Sequence, residues 1–227
     1  MGQKANPKGL RLKINQEWES NWYAEKERYS DYLIEDIKLR KFIYKYIIRN
    51  KKYRRVEISD ILIKRFPDSI NINIYTSRPG SLIGKKGQDI ELLRKQLTRL
   101  VGEGKNINLN INEVKKVDLD ARVVSQSVGK MIEGRMNYKK AMKQSISRAV
   151  RSGAKGIKIQ VTGRLGGADM ARCESFKEGS IPLHTFNALV DYAKYDALTT
   201  YGIIGVTTWI HKGSSTNEAV DAVKKSI

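Results

Sequence analysis

The alternation of apolar and polar positions divides the chain into two runs of elements. From Asp31 to Arg49 the pattern has helical spacing, with Leu39, Phe42, Ile43, Tyr46 and Ile47 on one face. Val56–Ile58 and Ile61–Ile63 then read as strand, closed by a turn at Phe66-Pro67-Asp68. Ile70, Ile72 and Ile74 alternate with Asn71, Asn73 and Tyr75, the signature of a half-buried strand. Ile107, Leu109 and Ile111 repeat it against Asn108 and Asn110. Between these two strands lie a glycine-containing loop and a helix with Ile90, Leu93, Leu97 and Leu100 on one side. The first half therefore reads helix, strand, strand, helical pair, strand.

After a short basic connector at Val114-Lys115-Lys116-Val117, the pattern restarts with helices. Asp118 is the expected N-cap of one carrying Leu119, Val124, Val128 and Met131 inward, and a second runs from Tyr138 to Arg151. Strands are expected at 156–162, 171–178, 183–193 and 202–211. Helices followed by strands point to an α+β arrangement, a sheet with helices on one face. Residues 1–16, basic and punctuated by Gly and Pro, read as an extended arm that needs something to hold it. Trp18 and Trp22 are the expected first apolar anchors. The expected divisions are an arm at 1–16, a first domain at 17–113, a second at 114–212 and a tail at 213–227.

Charge changes the picture from fold to function. Forty-three Lys and Arg against 24 Asp and Glu in 227 residues give a formal net charge of +19, far beyond what solubility asks of a small domain. That is the footprint of a polyanion binder. The single Cys173 permits no internal disulfide, and with His184 and His211 makes only three Cys or His ligands, too few for a zinc finger. No apolar run approaches a membrane span and the N-terminus lacks a signal-peptide core, so a soluble intracellular protein is expected.

Three motifs carry chemistry. In Ile83-Gly84-Lys85-Lys86-Gly87 the two glycines leave room for a phosphate to approach backbone, and the lysines add charge. Gly-x-x-Gly recurs at 153/156, 163/166 and 202/205; only the first has a basic insert, a following amphipathic helix and alternating strands on both sides. It lacks Walker spacing, so NTP hydrolysis has no support. The second is Lys139, Lys140, Lys143, Arg148 and Arg151 on one helix without an acid. Like charges at i,i+3 and i,i+4 weaken a helix, a cost that a phosphate backbone offsets by counterion release. The third, 161–172, reads as a hairpin-like glycine turn with Arg164 and Arg172 as phosphate donors. No nucleophile–base pair or metal cluster is visible, so no enzyme, metal or cofactor is expected.

Met1-Gly2-Gln3-Lys4 with Pro7, Gly9 and Arg11-Leu12 resembles the start of the bacterial-type small-subunit ribosomal protein three family. The resemblance extends in order through Ser77–Gly87, Gly153–Lys158, Gly163–Ala168, Pro182–Thr185 and Thr199–Val206. It implies a type II KH domain (αββααβ) followed by a two-layer α/β C-terminal domain with two helices on a four-stranded sheet. It implies binding to small-subunit (16S) rRNA in the head, beside proteins ten and fourteen. With proteins four and five, the family lines the mRNA entrance channel, and its unwinding residues fall on Lys139, Lys140 and Lys143. Relatives often have Arg at the first two; Lys supplies charge without the bidentate fork. Many relatives carry a long basic tail, which the acid-diluted residues after His211 do not match. Two competing readings are a free KH-domain regulator of mRNA and a DNA-repair lyase, the latter needing a Schiff-base lysine.

Overall fold

The computed structural model describes residues 4–50, 53, 56–102 and 105–214. They form two compact units, one of residues 18–115 and one of 116–214 together with 4–17. Most of the expected tail lies outside the described residues.

In the first unit, α2 (Lys26–Arg49) begins five residues before the expected Asp31, because its first turn carries no apolar period to announce it. Its buried stripe is Leu39, Ile43 and Ile47. The sheet has the order β1-β2-β3-β4. A two-residue β1 (Ser20–Asn21) runs parallel to β2 (Ile58–Arg65), which makes an antiparallel hairpin with β3 (Ser69–Thr76). β4 (Asn106–Glu113) lies parallel to β3, with Ile70 opposite Ile107 and Ile72 opposite Leu109. Period two then fixes the remaining positions: Ile70, Ile72 and Ile74 are fully buried, while Asn108 and Asn110 donate amide hydrogen bonds to Asn71 and Asn73. A parallel pair needs a crossover, supplied by α3 (Pro79–Ile83) and α4 (Gln88–Val101). On α4, Leu93 and Leu97 are buried as expected, but Leu100 is exposed and Val101 packs on the core instead.

Trp18 is exposed and not part of either buried core. Trp22 holds its place by a polar contact: its indole N–H donates to Asp36, which also accepts from Ser20 and Arg65. Arg65 and Asp36 have side chains only 4% and 3% exposed, with the guanidinium 4.8 Å from the Tyr32 ring centroid.

The second unit has the sheet order β6-β5-β8-β7. Its strands are β5 (Gly156–Gly163), β6 (Arg172–Gly179), β7 (Ala188–Thr199) and β8 (Gly202–Ser214), all antiparallel. Helices α5 (Ala121–Glu133) and α6 (Tyr138–Arg151) share one core with the inward row Ile157, Ile159, Val161, Val206 and Ile210. Gly129 is where α5 meets the sheet: a Cβ there would sit 2.2 Å from the Tyr195 ring. Burial and neighbouring Glu133 push the Tyr195 phenol up to about 12.

Three expectations differ from the structure here. The N-cap of α5 is Asp120, whose carboxylate accepts from the Arg122 and Val123 N–H groups; Asp118 instead accepts from the Ser152 hydroxyl. β7 begins at Ala188, not Leu183, because Arg11 occupies the carbonyls of the segment before it. Arg11 is completely buried and donates to the carbonyls of Pro7, Pro182, Leu183, Thr185 and Ala188 at 2.8–3.2 Å. The expected extended arm therefore starts with a helical turn, α1 (Pro7–Leu10), and is held by the Arg11 guanidinium together with the Asn15 and Gln16 amides, which donate to the Phe186 and Val190 carbonyls.

Asp191 ties the start of α5 to β7 and β8: it accepts from the Ala121 N–H at 3.0 Å and pairs with Lys212 at 3.1 Å. Burial alone would raise its pKa, but Lys212, the Ala121 N–H and Lys8 outweigh it, so the carboxyl lies below its ordinary value of 3.8. A depressed folded-state pKa contributes stability that is present above the ordinary carboxyl value and is lost progressively below about pH 5, as pH falls through the folded value. Asp191→Asn is expected to lower unfolding free energy at pH 7 by about 1.5–3 kcal/mol. Its loss between pH 5 and pH 3 should be smaller than that of the parent chain, as urea titrations would read.

Candidate nucleic-acid interface

The first element is the loop joining α3 to α4. Gly84 ends α3 with its N–H on the Gly80 carbonyl and has φ 72° and ψ −177°, a region open essentially to glycine alone. A Cβ at Gly84 would also lie 2.0 Å from the Asp89 carboxylate. Lys86 takes a left-handed φ of 53°, and Gly87, at φ 78°, precedes α4 without a side chain to cap it. The loop is thus a fixed turn with Lys85 and Lys86 exposed and the first N–H groups of α4 uncapped by Gly87. Asp89 is engaged with Tyr53, whose phenol is pushed above its ordinary range by burial, Tyr46 and Asp89. Beside the loop, Ile90, Glu91 and Arg94 of α4 and Leu109 of β4 line a groove of about 410 Å³ with asparagines 71, 108 and 110. The sequence reading missed this groove. Its signal was the i,i+4 spacing of Ile90 and Arg94 next to the Asn-rich alternation of β4, and only the β3–β4 crossover brings the two together.

The second element is α6. Asn137 caps it by accepting from the Lys139 N–H at 2.9 Å, and Tyr138, Ala141, Met142, Ser145, Ile146 and Ala149 face inward. At about 100° per residue, Lys139, Lys143, Lys140 and Arg151 fall on the opposite arc, and all four are exposed. Lys143 lies 5.7 Å from the Phe176 ring centroid and Lys139 5.9 Å from that of Tyr138. Arg148 lies at the edge of that arc and is half-buried. It borders Ala141 and Ser145 on the buried side, touches the Ser145 hydroxyl at 3.4 Å, and its buried Nε has no hydrogen-bond partner among the described residues.

The third motif is the β5–β6 hairpin, with Gly163 paired to Arg172. Its two arginines have partners within the unit. Arg164 donates to the Ala168 carbonyl and pairs with Asp169, closing its own loop. Arg172 donates to the Tyr138 hydroxyl, and both groups meet Glu174, which braces the first turn of α6. Both side chains remain about half exposed, so each holds these partners while still facing solvent. Gly84–Gly87 belongs to the first unit, whereas α6 and the hairpin share the second.

Among the described residues no group of His, Cys, Asp and Glu is placed to hold a metal, and no helix is long and apolar enough to cross a membrane. Residues 38–119 match the KH domain family model, and residues 128–210 match Ribosomal protein S3, C-terminal domain. The chain is 47% identical over its full length to a small ribosomal subunit protein uS3 of Pediococcus pentosaceus, covering 97% of that protein. The chain belongs to the uS3 family. Similar relatives are the uS3 proteins of Levilactobacillus brevis, 49% identical over 94% of the chain and 93% of the relative, and of Hahella chejuensis, 47% identical over 100% and 97%. The architecture is that of a KH domain followed by an S3 C-terminal domain, α+β throughout, with α2-β2-β3-α3-α4-β4 giving the αββααβ order.

Proposed function

We propose that this chain is a structural, RNA-binding component of the small ribosomal subunit and not an enzyme. It binds small-subunit rRNA and presents α6 to mRNA at the entrance channel. The family relationship supports the ribosomal role. The observation that carries the RNA contact is the exposed arc of Lys139, Lys140, Lys143 and Arg151 on a helix without an acid. Self-repulsion along such an arc is relieved when the lysines neutralise phosphates and release their counterions. The Gly84–Gly87 loop supplies a second backbone clamp, with the α4–β4 groove taking the bases of an unpaired strand. The ribosome's translocation supplies the work of unwinding, so α6 needs only to hold one strand. The neighbours proposed are proteins ten and fourteen in the head, with four and five at the channel.

The test is binding of the purified chain to oligouridylate and to polyglutamate of similar charge. Preference for the oligonucleotide, with log affinity falling linearly against log salt, is the expected result. Equal binding of both polymers would refute RNA recognition.

A further inference from the structure

The sheet of the second unit has one face covered by α5 and α6; its other face carries a row of side chains that the function above does not use. Register places Lys177 of β6 opposite Lys158 of β5, Lys158 opposite Trp209 of β8, and Trp209 opposite Tyr192 of β7. The row therefore crosses all four strands. Lys158 Nζ stands 4.9 Å from the Trp209 ring centroid, and the Tyr192 and Trp209 rings are 5.5 Å apart at 52°. Lys194 stands in the next row. A groove of about 810 Å³ runs over these residues, walled on one side by residues 4–7 and carrying Lys4. Among the described residues no carboxylate lines it. The wall is built in place, because Arg11 fastens the arm to the 182–188 segment.

We infer that this outer sheet face is a second RNA site, which takes an unpaired segment by stacking a base on Trp209 and Tyr192 while Lys158, Lys177, Lys194 and Lys4 hold its phosphates. The inference rests on the RNA-binding reading above but concerns the face of the sheet opposite α6. Charge complementarity selects the occupant. Four ammonium groups without an acid call for a polyanion, and two rings at the centre call for one with flat faces. Every base has such a face, so the site tolerates sequence. A protein partner packing on this face would want aliphatic residues where Lys158, Gln160, Thr207 and Lys194 stand.

The test uses the full chain and a fluorescein-labelled oligouridylate containing 4-thiouridine. Photocrosslinks to peptides holding Tyr192 and Trp209 are expected, both in the parent chain and when Lys139, Lys140 and Lys143 are all alanine. Trp209→Leu is expected to weaken binding about tenfold, while Trp209→Phe, which keeps a stacking face, stays within about twofold. Lys158→Gln with Lys194→Gln leaves the core untouched and should weaken binding several-fold and flatten the salt dependence. Full binding by Trp209→Leu and by the double lysine variant, with crosslinks only on α6 or the Gly84–Gly87 loop, would overturn this site and leave the proposed function standing. Displacement from this face by polyglutamate at equal charge would assign it to an acidic protein segment. Failure to bind oligouridylate at all would overturn both.

Discussion

Replacing Lys139, Lys140 and Lys143 together by alanine is expected to cut RNA affinity by about 10- to 100-fold at moderate salt and to leave the fold intact. Each exposed lysine that neutralises one phosphate of a single strand contributes about 0.7 to the log–log salt slope, so the slope should drop by about 2. The helix itself has no reason to suffer. Alanine is the better helix former, the like-charge neighbours disappear, and none of the three side chains belongs to the core. Circular dichroism and the urea midpoint should therefore be unchanged or slightly improved. In reconstituted ribosomes the same variant should assemble and then slow on messages with stable hairpins. An unchanged rate through hairpins would remove the channel role while leaving the rRNA role.

The second large effect is on stability. Arg65→Met is expected to destabilise the first unit by about 3–5 kcal/mol, because Asp36 would remain buried without its countercharge. The fork donates from Nε to Asp36 at 2.9 Å, from Nη1 to Glu35 at 2.7 Å and from Nη2 to the Tyr32 carbonyl at 3.2 Å. Arg65→Lys should recover only part of the loss, since one ammonium cannot reproduce that fork. Urea unfolding reads both. A loss below about 1 kcal/mol would mean that water screens the pair, contrary to its 4% and 3% exposure.

The elements with a strong local period were legible in the sequence. The Ile/Asn alternation of β3 and β4 and the limits of α6 are encoded within a few residues of themselves. β7 was displaced because its inward positions include Ala193 and Ala197, too small to mark a strand, while the preceding Leu183 lends its carbonyl to an arginine about 170 positions away. Arg148 shows the same limit at the site: its charge fits the basic arc, but its angle on the helix sets it beside Ser145. The partners of Arg164 and Arg172 are hidden in the sequence as well, because only the hairpin brings Asp169, Glu174 and Tyr138 to them. The aromatic row of the outer sheet was invisible for the same reason. Trp209 and Lys158 are neighbours only through strand register.

The most direct measurement is a sucrose-gradient profile of the tagged chain from cells, at low and high salt. Migration with small subunits that survives the salt step is the predicted result, because an rRNA-embedded protein is held by more than screened charge. A chain that stays at the top of the gradient at both salts would contradict the account.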